Sequence, residues 1–485
     1  MAPGFIQDCE RDQLHLSGHI QAHGAVLITD WRLNIQHVSD NIADWLKLTP
    51  PQLLQQPLPA SLQEQAGTLP EAEGRYEIRL GVQLNGLEYD LLVMRLAHSE
   101  LAFSLYSGGT APTAGISFTP PKVHSEHDLE VYRQALCETI QQVTGADRAL
   151  YYEFLPAGDG QVKAESVSHE DMGSYLNLCF PASDIPQIAR RLYVENPWRQ
   201  ISDARAEPVP LHSAGSEDAN LTYIDLRSVA DIHREYMSNM GICSSVSWPL
   251  TTGQELIALI SVHFRKSPEL SLGLLQAISE WVVDLKLATR SFRSIQRMQE
   301  LDNLQRDFKQ AIAQLEQHDS FQAAWPDFAR WLMSSFGADG VVLCYQDQVL
   351  AHGLTFEPPV LDYIDDWFMH DSPELIHACE SLYYEFSEDI LSQVAGFLAV
   401  RQSGKHRHAG ARLYICRAEL VQEINWGGNP NKPADFSVAS RNIKPRQSFE
   451  AWLETRLGYC RPWPETSRIK LLRLRELLNK IPYID

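Results

Sequence analysis

The stretch FPASDIPQIARRLY, Phe180–Tyr193, decides how this chain is read. Pro181 and Pro186 fix the backbone on either side of Asp184, and Phe180, Tyr193 and the nearby Trp198 set aromatic surface around it. The stretch belongs to an irregular region from Asp171 to His233 that has little periodicity within an otherwise compact pattern. Loops of that length in a compact domain usually wrap a ligand or are disordered, and this one reads as ordered. Beyond it come DLRSVADIHREYMSNMGI (Asp225–Ile242) and SSVSWPL (Ser244–Leu250). Arg199, Arg227, Ser245, Ser247, His233 and His263 are residue types that bind the carboxylates of a large ligand, and Tyr152, Phe180 and Tyr236 offer flat surfaces for its rings. From the pattern alone, unrelated ion pairs over core aromatics explain the same residues at least as well.

Around this region the chain reads as an α+β protein. HGAVLITD (His23–Asp30) and the start of IQHVSDNIADWLKL read as strands, followed by a helix; Asn85-Gly86 marks a hairpin within YEIRLGVQLNGLEYDLLVMRL. SGGTAPTAGISFTPP (Ser107–Pro121) is the clearest linker. A second domain opens with the amphipathic helix DLEVYRQALCETIQQVTG and has strands at RALYYEFL, VKAESV and ELIALISVHF. From Leu274 to Trp325 there is no Gly or Pro, and Ile295, Met298, Leu301, Leu304, Phe308, Ile312 and Leu315 recur at helical steps, which predicts one long helix or nearly so. A third domain has strands near GVVLCYQDQVLAHG and ARLYICRAEL, with helices near LDYIDDWFMH and FEAWLETRLGYC. The final ETSRIKLLRLRELLNKIPYID carries the stripe Ile469, Leu472, Leu474, Leu477, Leu478 and Ile481. Two helices with apolar stripes predict a parallel homodimer through a helical bundle; the alternative is that each stripe packs on its own domain.

The length of 485 residues fits about three domains. Lys and Arg total 41 against 62 Asp and Glu, a net charge of −21 that disfavours nucleic acid and anionic membrane surfaces as partners. No apolar run approaches a membrane span, and the N-terminus has no secretory pattern, which predicts a cytoplasmic protein. Eight cysteines lie scattered without a CxxC pair, the usage of a reducing compartment. Cys9 stands apart, between acidic residues near the terminus. No phosphate loop, dinucleotide fingerprint, HExxH or GxSxG occurs, so catalysis is not indicated. His406 and His408 have metal-like spacing but sit in a basic, Gly-bounded loop, and no metal site is expected.

In that order along nearly the whole chain, DCERDQLHLSGHIQAHGAV, FPASDIPQIARRLY and DLRSVADIHREYMSNMGI resemble the PAS and GAF domains of the bacteriophytochromes, and INWGGNP with KPRQSF resembles the tongue of their PHY domain. The resemblance implies three tandem PAS/GAF-like domains with antiparallel sheets, joined by a long helix. It divides the chain into an N-terminal extension and PAS domain at 1–118, a GAF chromophore-binding domain at 124–290, and a PHY domain at 291–485. The PHY domain would contain a tongue at about 421–455 and the start of an output helix at about 465–485. It further implies a figure-of-eight knot, in which the N-terminal strand threads a GAF loop with Ile20 at the crossing.

The cofactor implied is biliverdin IXα, a linear tetrapyrrole, joined by a thioether to Cys9. Relatives that attach the pigment within the GAF domain carry a cysteine just before the motif histidine, whereas here Arg227–His233 reads RSVADIH. Cys243 is a bystander. By resemblance, Asp184 offers its main-chain carbonyl to the pyrrole N–H groups and His233 helps to hold them. Arg199 and Arg227 bind one propionate, and Ser245 and Ser247 lie near the other. Tyr152, Phe180 and Tyr236 cage ring D, His263 contacts its carbonyl, and Ile185 lies beside the rings. Arg446 pairs with Asp184, and Trp426, Pro445 and Ser448 belong to the same tongue.

The implied function is red and far-red light sensing: isomerisation at the double bond between rings C and D, passed through the tongue to a C-terminal output domain or a separate signalling partner. No output kinase or cyclase pattern follows, so a sensory module is expected. The rivals are a non-photochemical GAF-type regulator binding another small ligand and an enzyme acting on the tetrapyrrole or another substrate.

Overall fold

The computed structural model describes residues 13–66, 69, 71–108, 116–315, 317–318, 320–345, 348–387, 390, 392–402, 410–430, 449–464 and 466–480. Cys9, His406, His408, Pro445, Arg446 and Ser448 lie outside them. The chain divides into two compact units, residues 1–293 with 425–452, and residues 294–424 with 453–485.

In the first unit the N-terminal sheet has seven strands, ordered His19–Ile20, Val209–Ser213, Ile35–Ser39, Gly24–Thr29, Leu101–Ser107, Leu87–Arg95 and Tyr76–Leu84. Its hairpin turns at Asn85 and Gly86, both with positive φ (52° and 77°), the twist that a two-residue hairpin needs. Leu27, Ile42, Leu91 and Phe103 lie in its core. One strand of this sheet, Val209–Ser213, comes from the irregular region, and it pairs with His19–Ile20. On the other side Ile20 bridges Arg227, and the Gln21 amide N–H donates to the Leu226 carbonyl at 2.7 Å. The N-terminal strand is therefore held between two segments of the irregular region, at the residue where the resemblance implies the crossing.

A second sheet runs in the order Arg199–Ile201, Ser244–Thr252, Glu255–Phe264, Arg148–Phe154, Gly160–Val167 and Cys179–Phe180, with Gln422–Gly427 and Ala451–Arg456 following. Helix Glu126–Thr144 packs on it. Ser125 caps that helix by accepting from the Asp128 N–H, and Gly145 ends it in the left-handed conformation. Val246, Trp248, Ile260, Val262 and Tyr151 form the apolar face, covered by Leu136 and Ile140 of this helix and by Leu275 and Ile278 of helix Leu272–Leu315.

The second unit holds a five-stranded antiparallel sheet, ordered Gln348–Gly353, Gly340–Tyr345, Arg412–Ala418, Val394–Arg401 and Ile376–Cys379. Helices Phe321–Phe336 and Pro358–His370 belong to this unit as well.

Three expectations are corrected. The long helix runs Leu272–Leu315 and stops; a new helix, Phe321–Phe336, begins at Ser320, whose side chain accepts from the Ala323 N–H. Trp325 belongs to that second helix. FEAWLETRLGYC is not helical: Ala451–Arg456 is a strand beside Gln422–Gly427, because pairing with a neighbouring strand outweighs its modest helix propensity. The apolar stripes also turn largely inward. Leu474, Leu477 and Leu478 of helix Thr466–Lys480, like Leu304 and Phe308 of the long helix, are buried in the core of their own unit. Each such burial is worth roughly 1.5–3 kcal/mol. Ile295, Met298 and Leu301 stay exposed on the long helix, as does Leu472 on the last.

Candidate ligand-binding site

Directly opposed residues in an antiparallel pair share a face of the sheet. Ser245 stands opposite His263, Ser247 opposite both Ser261 and Arg199, and His263 opposite Arg148, so these side chains lie on one face with Tyr152 and Leu259. The alternate residues form the apolar core. This polar face is nonetheless shielded: Ser245, Ser247, Ser261 and His263 are only 8%, 6%, 8% and 9% exposed. A buried sheet face made of Ser, Ser, Ser, His and Arg gives up hydrophobic burial, and that cost points to a polar partner.

The hydroxyls of Ser247 and Ser261 are hydrogen-bonded at 2.8 Å, and Ser261 lies 3.5 Å from His263 Nε2. His263 Nδ1 is buried and has no hydrogen-bond partner among the described residues. Burial first, then the charge of Arg148, lowers the His263 pKa to about 3. His233, on helix Asp231–Asn239, is lowered to about 4 by burial and then by Arg199. Both imidazoles are neutral at pH 7, each with one donor and one acceptor nitrogen.

The loop that opened the sequence reading reaches the same place. Asp184 closes a short 3-10 turn, Ala182–Asp184, and its Oδ2 accepts from the Tyr236 hydroxyl at 3.1 Å. The Tyr236 ring stacks on His233, with centroids 6.0 Å apart, and meets Phe449 edge-on at 5.3 Å. Tyr152 and Phe180 form an aromatic wall with centroids 6.1 Å apart. Two glycines make room for it. A Cβ on Gly160 would fall 2.0–2.2 Å from the Tyr152 ring, and one on Gly427 would fall 2.5 Å from Phe180. Trp426 is buried and pairs with Cys179, which fixes that strand next to the wall. Ile185 is partly buried beside the same apolar cluster.

Positive charge gathers at the other end. Arg199 donates to the carbonyls of Asp225, Arg227 (2.7 Å) and Ser228 (3.1 Å), and Arg227 donates to those of Leu221 and Thr222. Asp225 is the nearby carboxylate; its oxygens accept from the Gln200 N–H at 2.8 Å and the Trp198 indole at 3.3 Å. Two guanidinium groups against one carboxylate leave an excess of positive charge. Burial and the neighbouring Arg199 lower the Arg227 pKa to about 9. An anionic ligand would relieve that strain.

Among the described residues, the structure thus gathers Asp184, His233, Tyr236, Arg199, Arg227, Ser245, Ser247, His263, Tyr152, Phe180, Ile185 and Trp426 in the first unit. Cys9, Pro445, Arg446 and Ser448 are not among the described residues. Cys243 is buried, and burial raises its thiol pKa. Sequence reasoning missed Ser261, two residues before His263 on the same face, and Asp225, which faces both arginines. It also missed Tyr193 as a site residue, whose phenol pKa is raised by burial beside Ser247, Arg199 and Arg227. Gln21 went unnoticed too: its side chain donates to the Gln200 carbonyl at 2.8 Å and accepts from the Ser202 N–H at 3.1 Å. Strict alternation through SSVSWPL and ISVHF was the available signal for Ser261; the others depend on contacts distant in sequence.

The residues fit a flat, conjugated ligand with carboxylate arms: an aromatic wall, two neutral imidazoles, that of His263 with a nitrogen to spare among the described residues, and surplus guanidinium charge. No group of three or more His, Cys, Asp or Glu able to hold a metal occurs among the described residues. None of the described helices is long and apolar enough to cross a membrane.

Comparison with known proteins gives three domain families in order: the PAS fold at residues 9–95, the GAF domain at 128–283 and the phytochrome region at 304–483. The chain is 29% identical to cyanobacterial phytochrome B of Nostoc sp., matching 98% of this chain and 66% of that protein. It is also 29% identical to a bacteriophytochrome of Pseudomonas aeruginosa, matching 100% of this chain and 68% of that one. The chain therefore spans about two thirds of the length of these relatives. Among solved structures, a bacteriophytochrome from the photosynthetic bacterium R. palustris superimposes with a TM-score of 0.80 at 25% identity, covering 97% of this chain and 98% of that one. The photosensory core module of the Stigmatella aurantiaca phytochrome has the same fold, with a TM-score of 0.81 at 23% identity over 98% and 97% of the two chains. With PAS, GAF and PHY domains in that order, the chain belongs to the phytochrome family and has the architecture of a bacteriophytochrome photosensory module.

Proposed function

We propose that the chain senses red and far-red light by binding biliverdin IXα in its GAF domain, joined covalently to Cys9 of the N-terminal extension. The bound bilin would supply the absorption of red light and the isomerisable double bond between rings C and D. The observation that carries this reading is the shielded polar sheet face of Ser245, Ser247, Ser261 and His263, which has surplus guanidinium charge at one end and the Tyr152 and Phe180 wall near the other.

In this reading Arg199 and Arg227 hold one propionate, where a planar fork suits a carboxylate better than an ammonium does. Ser245 and Ser247 stand near the second propionate. The neutral His263 offers Nδ1 as a free partner to a ring carbonyl. The Asp184 main-chain carbonyl and His233 hold the pyrrole N–H groups, and an acceptor on a cationic pigment raises its pKa. Tyr152, Phe180 and Tyr236 enclose ring D, with Ile185 beside it. The Asp184 side chain accepts from Tyr236 and would pair with Arg446. Trp426, Pro445, Arg446 and Ser448 would then couple the pigment to a tongue with two arrangements.

We assign residues 1–118 to the extension and PAS domain, 124–290 to GAF and 291–485 to PHY, with the tongue at about 421–455 and an output helix starting at about 465. A parallel homodimer would form along the exposed Ile295, Met298 and Leu301 face of the long helix, working in the cytoplasm with an output domain or partner. The test is reconstitution: protein mixed with biliverdin should acquire a far-red-absorbing pigment that survives denaturation, and Cys9→Ser should lose that resistance. Covalent pigment persisting in Cys9→Ser would contradict the attachment site. Failure of the unmodified protein to take up biliverdin would favour a GAF regulator of another ligand.

A further inference from the structure

We propose that Arg190 is a positioning residue for the bilin: it clamps the loop carrying Asp184 to the turn that follows Phe154. The inference rests on the reading above, in which the Asp184 main chain faces a bilin.

Arg190 lies in helix Gln187–Glu195, directly after the loop. Its Nε donates to the Ile185 carbonyl at 2.7 Å, and one Nη donates both to the Ala182 carbonyl at 3.2 Å and to the Gly158 carbonyl at 2.6 Å. The first two carbonyls bracket Ser183 and Asp184, so the clamp holds the chain at the 182–183 and 185–186 peptides, one on each side of the two peptides that flank Asp184. The third belongs to the turn between strands Arg148–Phe154 and Gly160–Val167, and Gly158 takes a φ of 92° there. From the same turn Asp159 accepts the Ala182 N–H at 3.0 Å. The guanidinium carbon sits 4.4 Å from the centre of the Phe154 ring, and Phe154 in turn meets Tyr152 edge-on at 5.2 Å. One side chain thus ties the loop, the turn and the aromatic wall together.

Only a planar fork does this. Arginine directs several N–H groups along fixed lines, whereas an ammonium is a point donor that cannot satisfy three carbonyls in this arrangement. Released from the clamp, the Asp184 carbonyl would shift by fractions of an ångström, and a hydrogen bond weakens steeply with distance and angle. A weaker acceptor for the cationic pigment lowers the pigment's pKa.

The experiment compares biliverdin-loaded wild type, Arg190→Lys, Arg190→Ala and Asp184→Ala. It measures the pH midpoint of pigment deprotonation from absorption spectra, the extent of photoconversion and the melting temperature. Both Arg190 variants should retain pigment but lower the midpoint by about one pH unit, a tenfold loss in proton affinity. Their photoconversion should fall toward that of Asp184→Ala, with the lysine variant between wild type and alanine. If Arg190→Ala fails to fold, Arg190→Lys still gives the answer. A wild-type midpoint and wild-type photoconversion in Arg190→Lys, with Asp184→Ala impaired, would overturn the clamp and leave the bilin reading standing, whatever happens to the melting temperature. A wild-type protein without photoconvertible pigment would remove the bilin reading and the clamp with it.

Discussion

The sheet around Ser244–Thr252 and Glu255–Phe264 has one apolar face and one buried polar face, whereas the five-stranded sheet of the second unit is apolar on both. In the latter, Val341, Leu343, Leu398, Val400, Leu413 and Ile415 face one core, and Val342, Phe397, Ala399, Tyr414 and Cys416 face the other. Its polar network is closed: Arg412 forms a bidentate pair with Asp365 at 2.9 and 2.6 Å, and the Tyr414 hydroxyl donates to the same carboxylate at 2.6 Å. In the first sheet the polar groups are left open, with His263 Nδ1 unpartnered and two guanidinium groups sharing Asp225. Closed buried networks specify a structure; open ones await a ligand. The contrast is what the proposed ligand site in the first unit requires.

The comparison breaks first where the closed network is cut. Asp365→Ala would strand the buried Arg412 charge and should cost about 3–5 kcal/mol, read as a lower urea midpoint. An unchanged midpoint would mean the network adds nothing. Gly160→Ala forces a methyl group into the Tyr152 ring and should cost about 1–3 kcal/mol while disturbing the pigment spectrum; a normal spectrum would show that the wall adapts.

The pH dependence has a definite sign. In the ligand-free protein His263 and His233 titrate in the fold at about 3 and 4, below the ordinary value of 6.5. Between those limits the unfolded chain binds more protons, so stability is lost as pH falls from 7 toward 5. The loss is up to about 2 kcal/mol for each histidine, and His263→Gln should flatten the curve. A pH-independent midpoint would show the imidazoles to be solvated. The smallest effect on stability belongs to the double substitution Ser247→Ala with Ser261→Ala. Removing both partners of a hydrogen bond should change the ligand-free protein by less than about 1 kcal/mol while reducing bilin uptake. Equal losses of stability and uptake would make the polar face structural.

Much of the fold was legible where local chemistry decides it: the Asn85-Gly86 hairpin, the amphipathic helix Glu126–Thr144 and the strand ELIALISVHF. The break after Leu315 was not, because a continuous apolar period masks a new start at Ser320. Nor was the strand Ala451–Arg456, whose conformation comes from its neighbour. The site residues on strands were named from their chemistry and from the resemblance; that Ser245, Ser247 and His263 share one face of a sheet came only from the strand register. Asp225, Gln21 and Arg190 act on segments that meet only in the fold, and no spacing reveals them. The C-terminal stripe misled because helical periodicity shows that a face is buried without showing against what.

The most direct test of the account is the absorption difference spectrum of biliverdin-loaded protein, recorded in darkness, after red light and after far-red light. The account predicts a reversible red and far-red difference with the pigment retained through repeated cycles. A spectrum unchanged by illumination, or pigment released as a product, would contradict it.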